Sequence, residues 1–172
     1  MKMKKTILSL VFVFGVLSAG AQTKLKPVYD EARDPIAQID SALSVVRQSD
    51  TEKFVLCQVG GNWCPWCLLF ADFAAKDADI ARAIDDNFVY LHVNYNPRKQ
   101  RDAAQKAAVA DLLSRLGRPE RFGFPVFVVL NQRGEVLHIQ DSSFLEEDKG
   151  YSKEKVLRFL KAWTPAALRV AE

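Results

Sequence analysis

Apolar residues recur at intervals of three and four along Ile36, Ile39, Ala42, Leu43 and Val46. Asp34-Pro35 just ahead of them supplies an N-cap and a proline at the first helical position, so an amphipathic helix to about Gln48 is predicted. The pattern then changes period. FVLCQV (Phe54–Val59) is short, almost continuously apolar and bounded by Gly60-Gly61, which reads as a strand buried on both faces. A helix should begin at about Cys64 and run through Leu68, Leu69, Phe70 and Phe73 toward Lys76, with Pro65 tolerated in its first turn. A short helical stretch, Asp79–Asp86, leads into FVYLHVNY (Phe88–Tyr95), a second strand that Asn96-Pro97 breaks. From Arg101 to Leu116 an apolar stripe of Ala108, Val109, Leu112, Leu113 and Leu116 predicts another helix, ended by Gly117 and Pro119. Phe124–Leu130 and Glu135–Ile139 read as strands joined by the turn Asn131-Gln132-Arg133-Gly134. After a loop in which Glu146, Glu147 and Asp148 are expected to be solvated, Ser152 can cap a last helix, Lys153–Trp163, that Pro165 follows.

This order has a topological consequence. The first two strands are connected through a helix and must lie parallel, whereas the last two form a hairpin and must lie antiparallel. The expected fold class is α/β: a mixed central sheet of about four strands with helices on both faces, preceded by an extra N-terminal helix.

The N-terminus changes how composition is read. MKMKKTILSLVFVFGVLSAGA has a basic start (Lys2, Lys4, Lys5), an apolar stretch from Ile7 to Leu17 and an A-x-A sequence, Ala19-Gly20-Ala21, before Gln22. That is the layout of a secretory signal peptide over residues 1–21, and its 11-residue apolar stretch falls short of the ~20 that cross a bilayer as a helix. Cleavage after Ala21 would deliver a periplasmic or secreted protein. Of the 24 Lys and Arg, three lie in this segment, which leaves 21 against 21 Asp and Glu. The basic sequence pI therefore belongs to the targeting peptide, and no nucleic-acid partner is implied. Residues 22–33 are polar and aperiodic, expected to be a flexible or loosely docked arm, and 34–172 should form one domain of a size that supports its own core.

The chemistry is concentrated in Gly60-Gly61-Asn62-Trp63-Cys64-Pro65-Trp66-Cys67. Two cysteines at i and i+3 on a first helical turn bring their sulfurs together, and the unpaired N–H groups at that helix end stabilise a thiolate. Such settings lower a cysteine pKa from about 8.5 into a range of roughly 3.5 to 7.5. Cys64 is the candidate nucleophile and Cys67, one turn in, the candidate resolving thiol. Two other readings of the pair stand beside this one. Structural zinc would need two further ligands, and only Cys57, His92 and His138 remain, each in a predicted strand. A permanent structural disulfide would close so short a loop that it constrains the unfolded chain little. Cys57 is adjacent to Gln58 and must point to the opposite face, as expected of a buried, inert thiol. His92, among Val89, Leu91 and Val93, reads as a hydrogen-bonded structural histidine, and His138 as similar or partly exposed.

Trp63-Cys64-Pro65-Trp66-Cys67 after a buried strand, followed by Phe124-Pro125 opening a strand hairpin, resembles the thioredoxin-like superfamily, and most of all its secreted members in bacterial envelopes. The likeness runs from about Phe54 to Trp163. It implies a thioredoxin fold, a cis bond before Pro125, and a Pro125 that lies beside the cysteine pair. It also implies that the backbone of Phe124 pairs with an extended substrate segment, a strand-addition mode with little sequence preference. Trp63 is expected to shield the disulfide and touch substrate, and Trp66 to be exposed for the same purpose. The chain departs from the family where a buried acid commonly precedes the first cysteine by six residues: Gln58 stands there. Leu68 follows the second cysteine where many members carry lysine, and Trp66 occupies the place of the histidine found in strong oxidants. That last difference favours the reductive direction.

What the resemblance implies is a thiol-disulfide oxidoreductase acting on protein disulfides through Cys64 and Cys67. Neither an organic cofactor nor a metal is called for, and a membrane-bound thiol donor or acceptor is expected as partner. The rival expectation is a thioredoxin-fold module that binds polypeptides and keeps Cys64–Cys67 as a static disulfide.

Overall fold

The computed structural model describes residues 25–99 and 101–169, so the signal peptide expected over 1–21 lies outside the described residues. Asp34 caps α1 (Pro35–Gln48) by accepting from the N–H groups of Ile36 and Ala37. The elements that follow are β1 (Phe54–Gly60), α2 (Pro65–Lys76), α3 (Ala78–Asn87), β2 (Phe88–Asn94), α4 (Ala103–Arg115), β3 (Val126–Leu130) and β4 (Val136–Asp141). A two-residue hairpin, β5 (Glu146–Glu147) with β6 (Gly150–Tyr151), precedes α5 (Lys153–Ala162) and the short α6 (Pro165–Leu168). Four strands form one sheet in the order β2-β1-β3-β4, with β1 parallel to β2 and β3 antiparallel to both β1 and β4. This is the expected mixed sheet, in a thioredoxin fold.

Alternation along the strands divides the interior in two. On one face Leu56, Phe127 and Val129 pack against Phe70 and Ala74 of α2, Ile80 and Ile84 of α3, and Val156, Phe159 and Leu160 of α5. On the other, Val55, Cys57, Val59, Val126 and Val128 meet Ile39, Leu43 and Val46 of α1 and Leu112 of α4. β1 lies between its two partner strands and is buried at every position, which explains why its sequence shows no polar alternation.

Several local details differ from expectation. β3 begins at Val126 rather than Phe124, because Pro125, which follows a cis bond as expected, has no N–H for the ladder. The acids at 146–148 do not form an open loop: Glu146 and Glu147 pair with Tyr151 and Gly150 around Asp148, which turns at φ 52°. Ser152 stands at the cap of α5, but its hydroxyl makes no capping hydrogen bond. Short 3-10 turns at Pro119–Phe122 and Ser142–Leu145 had no periodic signal to announce them. Gly134 does turn the hairpin at φ +83°, and Gly117 ends α4 at φ +73°, both in the region that favours glycine.

Candidate active site

β1 delivers the chain to the site and α2 carries it away. At the junction Cys64 is the N-cap of α2: its Sγ accepts the Cys67 N–H at 3.2 Å. Pro65 takes the next position, where no N–H is needed. Cys64 and Cys67 form a disulfide with Cα atoms 5.3 Å apart. Cys67 is fully buried and Cys64 only 4% exposed. The Cys64 sulfur lies 3.6 Å from the carbonyl oxygen of Phe124, the residue before the cis-proline, so the loop opening β3 faces the cysteine pair as expected. Glycine is required on the strand side: a Cβ at Gly60 would fall on the Cys67 sulfur, and one at Gly61 on the Trp63 indole.

The aromatic residues form a collar of unequal depth. Trp63 is half-buried, donates its indole N–H to the Tyr95 carbonyl at 3.0 Å, and meets Phe124 edge to face with ring centroids 5.5 Å apart. Arg98 stands 6.0 Å from the Trp63 ring and Arg101 5.6 Å from that of Tyr95, giving this rim a basic edge. Trp66 is half-buried rather than exposed: its ring packs edge-on against Tyr151, whose hydroxyl donates to the Trp66 carbonyl at 3.2 Å. Pro125 is buried.

Beneath the disulfide lies a polar group that periodicity does not reveal. Gln58, fully buried, donates through Nε2 to the Cys67 carbonyl at 2.8 Å and to the Tyr29 hydroxyl at 2.7 Å, and its Oε1 accepts from the Tyr90 hydroxyl. His92 is the cross-strand neighbour of Gln58 and packs against both tyrosine rings. Instead of the expected hydrogen bond, its Nε2 has no partner among the described residues, and burial lowers its pKa to about 4, so the imidazole is neutral near pH 7. Burial raises the pKa of Tyr29 and Tyr90, which therefore stay protonated.

Tyr29 comes from the arm expected to be loose. In the described part of that arm the Asn62 side chain takes the N–H groups of Val28 and Tyr29 on Oδ1 and donates to the Tyr29 carbonyl and to Glu31. Tyr29 is consequently 4% exposed, packed with both cysteines. Nothing in the polar stretch around Tyr29 marks it, although Asn62, inside the cysteine loop, was a place to look for its anchor. The remaining candidates lie elsewhere. Cys57 is buried on the opposite face of β1, where burial pushes its thiol up to about 12. His138 stacks on Trp163 at 4.2 Å.

A disulfide at a strand-to-helix junction, whose first cysteine caps the helix and faces a cis-proline loop, defines the thioredoxin-like class of redox proteins. Within that class the chain belongs to the family Thioredox_DsbH, described as a protein of unknown function, DUF255, whose model matches residues 25–166. Among solved structures, a disulphide isomerase from Xylella fastidiosa Temecula1 superposes with a TM-score of 0.64 at 23% identity, over 80% of this chain and 97% of that one. A structure described as DsbH oxidoreductase superposes with a TM-score of 0.51 at 19% identity, over 76% of this chain and 82% of the other. At such identities the likeness speaks for the fold. No curated protein matches the chain by sequence.

Proposed function

We propose that this protein is a thiol-disulfide oxidoreductase of the cell envelope that reduces protein disulfides through Cys64 and Cys67. One observation carries the proposal: the Cys64 sulfur receives a backbone N–H at the start of α2 and stands beside the Phe124 carbonyl, where an extended substrate can align. In the reduced protein the Cys64 thiolate attacks a substrate disulfide, forming a mixed disulfide and expelling one substrate thiolate. Cys67, as thiolate, then attacks the Cys64 sulfur. The Cys64–Cys67 bond forms, the bond to substrate breaks, and the second substrate sulfur leaves with the electron pair and takes a proton from solvent. Two electrons have passed from the dithiol to the substrate.

Trp63 and Phe124 supply apolar contact to the client, Pro125 shapes the loop that presents the Phe124 backbone, and Trp66 supports the cysteine turn from the side. Reduction is favoured because Trp66 brings no charge to stabilise the Cys64 thiolate as the histidine of strong oxidants does. The dithiol itself is the redox group, with no cofactor or metal. A reductase placed beyond the membrane by a cleaved signal needs electrons from a membrane-bound thiol donor.

The test is insulin reduction with dithiothreitol as donor: wild type should turn over and Cys64→Ser should not. Equal rates would overturn the proposal. Equilibration with glutathione should give a potential near about −270 mV for a reductant, and a value near about −120 mV would reverse the direction. The near-complete burial of both cysteines favours a second reading, a polypeptide-binding module with a static disulfide. A Cys67→Ala variant separates the two, since only the enzyme accumulates mixed disulfides with clients.

A further inference from the structure

Cys67, the resolving residue of that exchange, has no exposed surface. Burial opposes its thiolate, so a hydrogen-bond donor within reach of the sulfur decides how readily the thiolate forms. Gln58 occupies the place where related proteins carry an acid, and its amide does not titrate. The amide does fix the direction of its hydrogen bonds. The Cys67 carbonyl can only accept, so the atom 2.8 Å from it is Nε2, and Oε1 is left to receive the Tyr90 hydroxyl. The other Nε2 proton is given to the Tyr29 oxygen. Tyr29 is therefore an acceptor toward Gln58, and its own hydroxyl proton is directed elsewhere.

The Cys67 sulfur lies near that side, with no hydrogen bond joining it to the Tyr29 oxygen while the disulfide is closed. A Cβ built on Gly60 would stand 3.0 Å from the Tyr29 oxygen and would fall on the Cys67 Sγ, so the two atoms close around one point that only a glycine leaves empty. The Tyr29 ring is buried in the same cluster as both cysteines, and Asn62 ties its backbone there from both sides. We propose that the Tyr29 hydroxyl donates a hydrogen bond to the Cys67 sulfur when the disulfide opens, making the N-terminal arm the source of a positioning residue for the redox centre. This rests on the thiol-disulfide reading above. In the resolving step the Cys67 electron pair goes to the Cys64 sulfur and the departing substrate sulfur is protonated by solvent, while Tyr29 keeps its proton throughout. Burial, which raises the phenol pKa, agrees with that role.

Tyr29→Phe keeps the ring and deletes the oxygen. In a Cys64→Ser background, the Cβ resonance of Cys67 in cysteine-labelled protein reports its titration directly. Loss of a hydrogen bond to a charged group should move the midpoint up by about one unit, or about tenfold less thiolate at a fixed pH below it. An unmoved midpoint overturns the proposal. In otherwise wild-type protein, Tyr29→Phe should slow release of a chromogenic thiol from a Cys64 mixed disulfide about tenfold at low pH, and match or exceed wild type once Cys67 is fully ionised. Equal slowing at every pH would mean that Tyr29 only packs, which also overturns it. The two readings fail separately. Insulin reduction that depends on Cys64 with an unmoved Cys67 midpoint defeats the hydrogen bond alone, and a moved midpoint without insulin reduction defeats the reductase reading alone.

Discussion

Gln58→Glu puts a titratable group where the thioredoxin pattern has one and this chain does not. The site is fully buried and already holds three polar neighbours: the Cys67 carbonyl, the Tyr29 hydroxyl and the Tyr90 hydroxyl. A protonated carboxyl can copy the amide by donating to the Cys67 carbonyl. An ionised one would set two acceptors 2.8 Å apart with no proton between them, although the two hydroxyls could turn toward it and offset part of that cost. Full burial alone raises a carboxyl pKa by up to 3–5 units, so a net rise of about two, from ~4.3 to ~6.5, is expected. A folded-state pKa above the unfolded value means that stability is complete below about pH 4 and lost as pH rises to ~6.5, for a total of about 3 kcal/mol. Urea unfolding of wild type and variant at half-unit steps from pH 4 to 8 measures it. The relevant quantity is the gap between the two proteins, measured in a His92→Phe background so that the imidazole opposite position 58 does not couple to the new carboxyl. That gap should widen by about 3 kcal/mol toward neutral pH and then stay level. A gap constant across the range would refute the reasoning, because it would mean that the pocket treats carboxylate and carboxylic acid alike.

Three further outcomes are expected. Gly60→Ala forces a methyl group onto the Cys67 sulfur and should destabilise the oxidised protein by about 1–3 kcal/mol in thermal unfolding; an unchanged Tm would show that the contact is not tight. Brief alkylation of the reduced, folded protein at pH 8 should label Cys64 and spare Cys57, whose thiol is buried and pushed up to about 12, so early modification of Cys57 in peptide mass spectra would contradict its placement. His92 has a folded pKa lowered to about 4 by burial, so its contribution is complete above about pH 6.5 and lost as pH falls toward 4, by about 2 kcal/mol after allowing for its partial exposure. His92→Phe should lose less stability than wild type between pH 7 and 4.5 in urea titrations, and parallel losses would refute the assignment.

The elements legible in the sequence are those whose periodicity reflects burial. α1 was visible because Ile39, Ala42, Leu43 and Val46 all face one core, and β1 because burial on both sides leaves Gln58 as the single polar side chain in an apolar run. The cysteine turn was legible because its chemistry depends on residues close together in the chain. The network under Cys67 was not, since it joins Tyr29, Gln58 and Tyr90 from an aperiodic arm and two strands, and hydrogen bonds between distant residues leave no repeat along the chain. Trp66 illustrates the same limit. Its position between two cysteines suggests exposure, but Tyr151, which sits 85 residues further on, covers it.

The alternation of side chains along β1 also keeps the chain's third cysteine out of circuit. Cys57 and Gln58 are neighbours in sequence but stand in separate compartments, one against α1 and α4, the other under the disulfide. A slip of the strand by a single residue would exchange them and put a thiol next to Cys67, where three sulfurs could trade partners and the pair would leak electrons into its own scaffold. The sheet thus acts as an insulator, and the amide at position 58 as a plug that carries hydrogen bonds but no charge.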